Sequence, residues 1–275
     1  RAIPEFPPTI ESYGLEEPLC RFMRLNRGLI LVTGSTGSGK TTMLAGVLHS
    51  RLLEEYVNVV TYESPPEFIY TGLPNLKGLI SQTDVPNHLA TYSHAVRNSL
   101  RRAPQIVLVG EARDAETIDG MVTEVRTGHT VYSTVHTESA PGTIDRIIRS
   151  FPVDQWESAR VSILDSVRVI VHQRLVPDTK GKRVALREWI YFDDRLKERL
   201  LDLPLPDITK FLNQHIRGEP VDGDRRAMET HARELFLEGR ISRAVYHVTL
   251  VSLGVTRDSP RAGLHPEAFL PEDAA

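Results

Sequence analysis

Apolar and polar positions divide the chain into short apolar runs and longer segments with helical spacing. Gly28–Thr33 is apolar nearly throughout, the pattern of a strand covered on both faces. It leads through a glycine-rich turn into a helical stretch over Lys40–Glu54. Further strands are predicted at Asn58–Tyr62, Gln105–Val109 and Thr130–Val135, with a short one at Leu79–Ser81. Helices are predicted for His88–Arg102, with Leu89, Tyr92, Val96 and Leu100 on one face, and for Ala115–Arg126. Pro141–Ser150 and Gln155–Asp165 read as helices separated by Pro152. Val167–His172 and Val184–Phe192 resemble strands, with turn residues Asp178–Lys182 between them. After Asp194 the pattern is helical, over Leu196–Leu201, Ile208–Ile216, Arg225–Glu238 and Ser242–Leu250. Arg1–Pro18, with Pro4, Pro7, Pro8 and Pro18, reads as an extended linker. Thr256–Ala275 has little apolar periodicity and reads as a disordered tail. The alternation predicts an α/β fold: a mostly parallel sheet wrapped by helices over 19–193, then a small C-terminal helical subdomain over 194–255.

Composition narrows the possible functions. A chain of 275 residues with 40% hydrophobic and 25% charged residues has the make-up of a soluble globular protein. A net charge of −3 and the lack of basic–aromatic clusters argue against nucleic acid as a direct ligand. Cys20 is the only cysteine, which excludes an intrachain disulfide. No apolar run reaches the length of about 18 residues needed to cross a bilayer, and no signal-peptide pattern is present. A cytoplasmic location is therefore expected, with any work at a membrane done from the cytosolic side.

The first candidate chemistry is phosphate binding. Gly34-Ser35-Thr36-Gly37-Ser38-Gly39-Lys40-Thr41 fits G-x-x-x-x-G-K-[ST], between an apolar strand and a helix that continues with Thr42. The glycines let the backbone approach an anion closely, and successive N–H groups at a helix N-terminus then surround it. Lys40 would neutralise the β- and γ-phosphates of ATP, and Thr41 would offer its hydroxyl to Mg²⁺. Hydrolysis also needs a magnesium anchor and a group that orients water. Ile106–Val109 is an apolar run followed by Gly110 and Glu111, the pattern of a Walker B segment, which puts Glu111 near the metal. Val59–Tyr62 likewise ends at Glu63, a candidate general base for the attacking water. Glu67, four residues on, is another candidate, read in preference as a surface residue. Arg97, Arg101, Arg102 and Arg113 are candidates to stabilise transition-state charge, with nothing in the pattern to rank them.

With these pieces in order, the sequence resembles the secretion superfamily of hexameric ATPases, which drive type II secretion, type IV pili and type IV secretion. Three segments beyond the phosphate loop carry the resemblance. Val60–Phe68 is similar to the family's Asp box, Val109–Asp114 to its G-E-x-R-D signature, and Thr127–Thr137 to its His box. Tyr62–Pro65, Val96–Arg102 and Val184–Glu188 are similar to the Dot/Icm and conjugative-plasmid branch, with pilus retraction motors more distant. Ser64 stands where pilus motors carry the aspartate that names the Asp box, and Pro66 where an aliphatic residue is usual.

The resemblance implies a RecA-like P-loop NTPase core, ATP and ADP as ligands, Mg²⁺, a homohexameric ring, and inner-membrane secretion or pilus proteins as partners. It implies catalytic roles for His136 and His129, and it supports Arg113 among the arginines. Arg1-Ala2-Ile3-Pro4 looks like the family's linker from an N-terminal PAS-like domain, which would be absent from this chain. That domain supplies nucleotide-clamping arginines in the family, so the fragment alone is expected to hydrolyse ATP poorly. Two rival readings are a RecA-like nucleic-acid motor and a non-hydrolysing nucleotide-dependent scaffold. The acidic balance argues against the first, and the pair Glu63 and Glu111 against the second.

Overall fold

Continuous apolar runs become the inner strands of one eight-stranded sheet. The structure, a computed structural model, describes residues 6–255. The Arg1-Ala2-Ile3-Pro4 segment and the predicted tail lie outside the described residues. The strands are β1 (Gly28–Thr33), β2 (Asn58–Glu63), β3 (Leu79–Asp84), β4 (Ile106–Val109), β5 (Thr130–Val135), β6 (Val167–Pro177), β7 (Arg183–Tyr191) and β8 (Arg225–Arg226). Their order is β3-β2-β4-β5-β1-β6-β7-β8. All pairs from β3 to β6 are parallel, and β7 and β8 complete the sheet antiparallel.

Both faces of the sheet are covered, which is why β1 reads as continuously apolar. Ile30 and Val32 face a layer made by α1 (Ile10–Tyr13), α2 (Glu17–Met23) and α3 (Lys40–Glu54). Leu29 and Leu31 face the opposite layer, made by α4 (Tyr92–Ser99), α5 (Ala115–Arg126), α6 (Thr143–Ile148), α7 (Trp156–Ser166), α8 (Asp194–Leu201) and α9 (Leu205–His215). All four side chains are fully buried, each contributing about 1.5–3 kcal/mol of transfer free energy. A smaller cluster joins α10 (Met228–Leu237) and α11 (Arg243–Ser252) to Val184 and Leu186 of β7. The chain is thus an α/β protein with a mostly parallel sheet. Among the described residues no helix is long and apolar enough to cross a membrane.

Several expectations change. The segment read as an extended linker contains α1 and the start of α2. Thr9 and Ser12 form a reciprocal capping box, Gly14 ends α1 in the left-handed region, and Ile10 and Leu19 are buried. Pro18 lies in the first turn of α2, where its missing N–H costs nothing. The helix expected from His88 starts at Tyr92, because the Thr91 hydroxyl caps it by accepting from His94 N at 3.2 Å. It tightens at Leu100–Arg102, and Leu100 is 41% exposed rather than on the buried face. Arg225 and Arg226 pair with β7 as a strand instead of opening a helix. Helices α8 and α9 do not stand apart: Leu196, Leu200, Ile208 and Leu212 share a buried cluster with Val131 and Ile144.

Candidate active site

The parallel register aligns the carboxyl ends of the central strands, and loops leaving that edge form the site. Thr33 pairs with Val135, Val109 with Ser133, and Tyr62 with Val109. Gly34, Glu63, Glu111 and His136 therefore emerge along one edge.

Gly34 opens the phosphate loop at φ +143°, where an added Cβ would lie 2.4 Å from Gln173 O. Gly39 is left-handed at φ +88°, with an added Cβ only 2.8 Å from Gln173 Nε2. Only glycine suits either position. Helix α3 begins at Lys40, so its unpaired N–H groups face the loop. Lys40 Nζ donates to Gly34 O at 2.9 Å and Ser35 O at 3.0 Å. Burial holds the ammonium below its ordinary pKa, opposed by Glu111 and then Glu67. Ser38 Oγ is buried and, among the described residues, has no hydrogen-bond partner. A buried cation, an unsatisfied hydroxyl and a helix N-terminus suit an anion of phosphate size.

Across from the loop stand the two carboxylates. Glu63 is only 7% exposed. Its Oε1 accepts from Thr61 Oγ1 at 2.7 Å and from Gln82 Nε2 at 3.2 Å. Burial raises its pKa above the usual carboxylate range. Glu111 is carried by a peptide held on both sides: Gly110 N donates to Tyr62 O at 2.7 Å and Ala112 N to Thr134 O at 2.9 Å. Glu111 Oε2 lies 2.7 Å from the Arg113 guanidinium, and its Oε1 lies 3.5 Å from His136 Nε2. Thr36, Gly37, Lys40, Thr41, Glu63, Glu111, Arg113 and His136 line one cavity of about 340 Å³. Glu67 is exposed yet lines the same cavity. Gly34, Ser35 and His136 border a neighbouring cavity with His172 and Arg174. Thr42 lies one residue further along α3.

His129 is not brought to this site. It precedes β5, and its carbonyl pairs with Gly28 N at 3.3 Å at the amino edge of the sheet. A six-residue strand, about 20 Å long, separates it from His136. Its Nδ1 lies 2.9 Å from Glu124 O and 3.2 Å from the Glu124 carboxylate, where it secures the end of α5. Arg97 pairs with Glu116 at 2.8 Å with both side chains exposed. Arg101 and Arg102 are also exposed, Arg102 donating to the Ser81 hydroxyl. Of the four arginines, Arg113 reaches the cavity.

Motif reading missed the residues that buttress the loop. Gln173 Nε2 donates to Ser38 O at 2.6 Å, and its Oε1 accepts from Tyr13 OH at 3.0 Å and Arg187 Nε at 2.7 Å. Beside it, His172 Nδ1 pairs with Thr33 Oγ1 at 3.1 Å. Burial, with Arg174 and Lys40 adding to it, pushes that imidazole down to about 3. The polar run His172-Gln173-Arg174, which begins at the last residue of the predicted strand Val167–His172, was the available signal.

Residues 13–223 match the family described as Type II/IV secretion system protein. The chain is 40% identical over 188 residues to the type IV pilus retraction ATPase PilT of Pseudomonas aeruginosa, covering 68% of this chain and 54% of that protein. It superimposes on the ATPase DotB of Legionella pneumophila with a TM-score of 0.86 at 34% identity, covering 92% of this chain and 68% of that one. The pilus retraction motor PilT with bound ADP superimposes with a TM-score of 0.79 at 27% identity, over 95% of this chain and 70% of that one. The chain spans little more than half the length of the curated relatives it matches. With the family match spanning most of the chain and its phosphate loop and strand-end acids gathered on one edge, the protein belongs to the type II/IV secretion traffic ATPases, similar to PilT and to DotB.

Proposed function

We propose that this chain binds ATP in the loop Gly34–Thr41 and hydrolyses it as the motor subunit of a secretion machine. The observation that carries this reading is the convergence of Lys40, Glu63, Glu111 and His136 on one cavity. Glu63 accepts the proton of the attacking water. Burial raises its pKa, which makes the ionised carboxylate a stronger base. Lys40 holds the β- and γ-phosphates, exchanging its loop carbonyls for phosphate oxygens. His136, tethered to Glu111, faces the terminal phosphate. Mg²⁺ suits the hydroxyl of Thr41 and the carboxylate of Glu111, and when bound it supplies charge neutralisation. The test is phosphate release from MgATP by the full-length protein. Lys40→Ala should reduce it to background, and a rate equal to the parent's would refute ATP hydrolysis at this loop.

The working form proposed is a homohexamer at the cytoplasmic face of the inner membrane, where an arginine from a neighbour is worth about 10³–10⁵ in rate. Similarity to DotB over 92% of the chain supports a type IVB or conjugative secretion system. The 40% identity to PilT supports a pilus retraction motor as the second reading. Gene deletion separates them: loss of substrate transfer with normal pilus retraction fits the first, and the reverse outcome fits the second. A particle that stays monomeric with nucleotide at micromolar concentration would exclude the ring.

A further inference from the structure

The antiparallel pair β6–β7 carries polar residues that the phosphate chemistry does not use directly. Its register sets Gln173 opposite Arg187 on one face, and His172 opposite Glu188 on the other. The first face reaches the phosphate loop through Gln173. The second reaches the segment that follows His136. Glu188 is 7% exposed, and its Oε1 accepts from Ala140 N at 2.7 Å. Arg174 donates to Glu138 O at 3.3 Å from the neighbouring strand.

The segment between is internally braced. Thr143 Oγ1 donates to Ser139 O at 2.9 Å, Gly142 N to Ser139 Oγ at 3.2 Å, and the Thr137 and Thr143 hydroxyls meet at 3.0 Å. Ala140 itself is fully buried in the core. A turn this well braced moves as one piece, so whatever anchors Ala140 also sets the path of the chain leaving β5 at His136. An apolar side chain at 188 would fill the space, but it would leave the Ala140 N–H buried without an acceptor.

We propose that Glu188 is a positioning residue for the hydrolytic step, holding the 137–142 turn so that His136 faces Glu111 and the phosphate loop. This rests on the ATPase reading above. The carboxylate sits among the Ala140 N–H, the charges of Glu229, Arg174 and Arg217, and the neutral ring of His172. Its burial pushes the pKa up to about 7, with Glu229 adding to the rise. What the turn takes from Glu188 is the oxygen that accepts from Ala140 N. Glutamine supplies that oxygen at the same reach. Aspartate keeps the charge and falls one methylene short, and alanine supplies neither.

The experiment measures kcat, KM and melting temperature with MgATP for the full-length protein and its Glu188→Gln, Glu188→Asp, Glu188→Ala and Lys40→Ala variants. Misplacing His136 by an ångström or less lowers kcat about tenfold to a hundredfold while the phosphate loop keeps KM within about twofold. That is the result expected for Glu188→Ala and Glu188→Asp, with Glu188→Gln restored to near the parent. Amide exchange should accelerate at Ala140 in the two impaired variants and not at Gly37 or Gly39. Should the alanine variant fail to fold, the aspartate variant decides. A folded Glu188→Asp protein with parental kcat, or a glutamine variant as slow as the aspartate one, would overturn the proposal. Turnover by Lys40→Ala equal to the parent's would instead overturn the ATPase reading itself, which keeps the two failures apart.

Discussion

Glu111 Oε1 and His136 Nε2 lie 3.5 Å apart, although their side chains leave the sheet from different strands. The other oxygen of the same carboxylate lies 2.7 Å from Arg113. Glu111 therefore ties an imidazole and a guanidinium together at the rim of the cavity. One position at the end of β4 thus contacts two groups that line the same cavity.

Replacing Glu111 with glutamine keeps the shape and removes the charge that pairs with the Arg113 guanidinium beside His136. ATP turnover by the full-length variant is expected to fall by about 10²-fold or more, with ATP affinity within a few-fold of the parent's. Steady-state phosphate release and binding of a fluorescent ATP analogue check the two halves separately. Parental turnover would remove Glu111 from the chemistry.

The loop itself is sterically committed. At φ +143° and with an added Cβ 2.4 Å from Gln173 O, Gly34→Ala must displace either the loop or β6. A loss of about 1–3 kcal/mol in stability is expected, together with loss of nucleotide binding. Thermal melting and analogue binding read these directly, and normal binding would mean the loop has slack the structure does not show.

Gln173→Ala removes one side chain from Ser38, Tyr13 and Arg187 at once. The Tyr13 hydroxyl and the Arg187 guanidinium lose an acceptor inside the fold, at a cost of about 1–3 kcal/mol. KM for ATP should rise more than kcat falls, because the loop loosens while Glu63 and Glu111 stay in place. A fall in kcat alone would contradict this assignment.

Buried histidines give a pH dependence with a definite sign. Burial, with nearby arginines adding to it, pushes both His172 and His231 down to about 3. The unfolded chain therefore binds protons that the folded chain refuses between about pH 6.5 and pH 3. These two histidines make stability fall as pH drops below about 6.5, by up to about 1.4 kcal/mol per pH unit each, while Glu188, with its pKa raised to about 7, contributes the opposite slope between about pH 7 and pH 4.5. Denaturant unfolding across this window measures the slope, and His172→Asn should make it shallower. An unchanged slope would show that His172 titrates normally in the fold.

The phosphate loop, Glu63 and Glu111 were legible in the sequence because each stands at the end of a continuous apolar run. In a parallel sheet that position alone places a residue at the ligand edge. The support behind the loop was not legible in the same way. Gln173 meets Ser38 across 135 positions of sequence, and only the pairing of β6 with β1 brings them together. Helix α4 was misplaced at its start because a threonine cap outweighed the apolar spacing around Leu89. His129 was read with His136 because the two share a short motif. The strand between them carries them to opposite edges of the sheet.

Glu63→Gln tests the central claim most directly, since Glu63 is the group proposed to take the proton from water. The measurement is a single-turnover assay, with MgATP bound to excess full-length protein and cleavage of the bound nucleotide followed in time. We expect the variant to bind ATP as the parent does and to cleave it about 10²-fold or more slowly. Equal binding with cleavage at the parental rate would contradict the account.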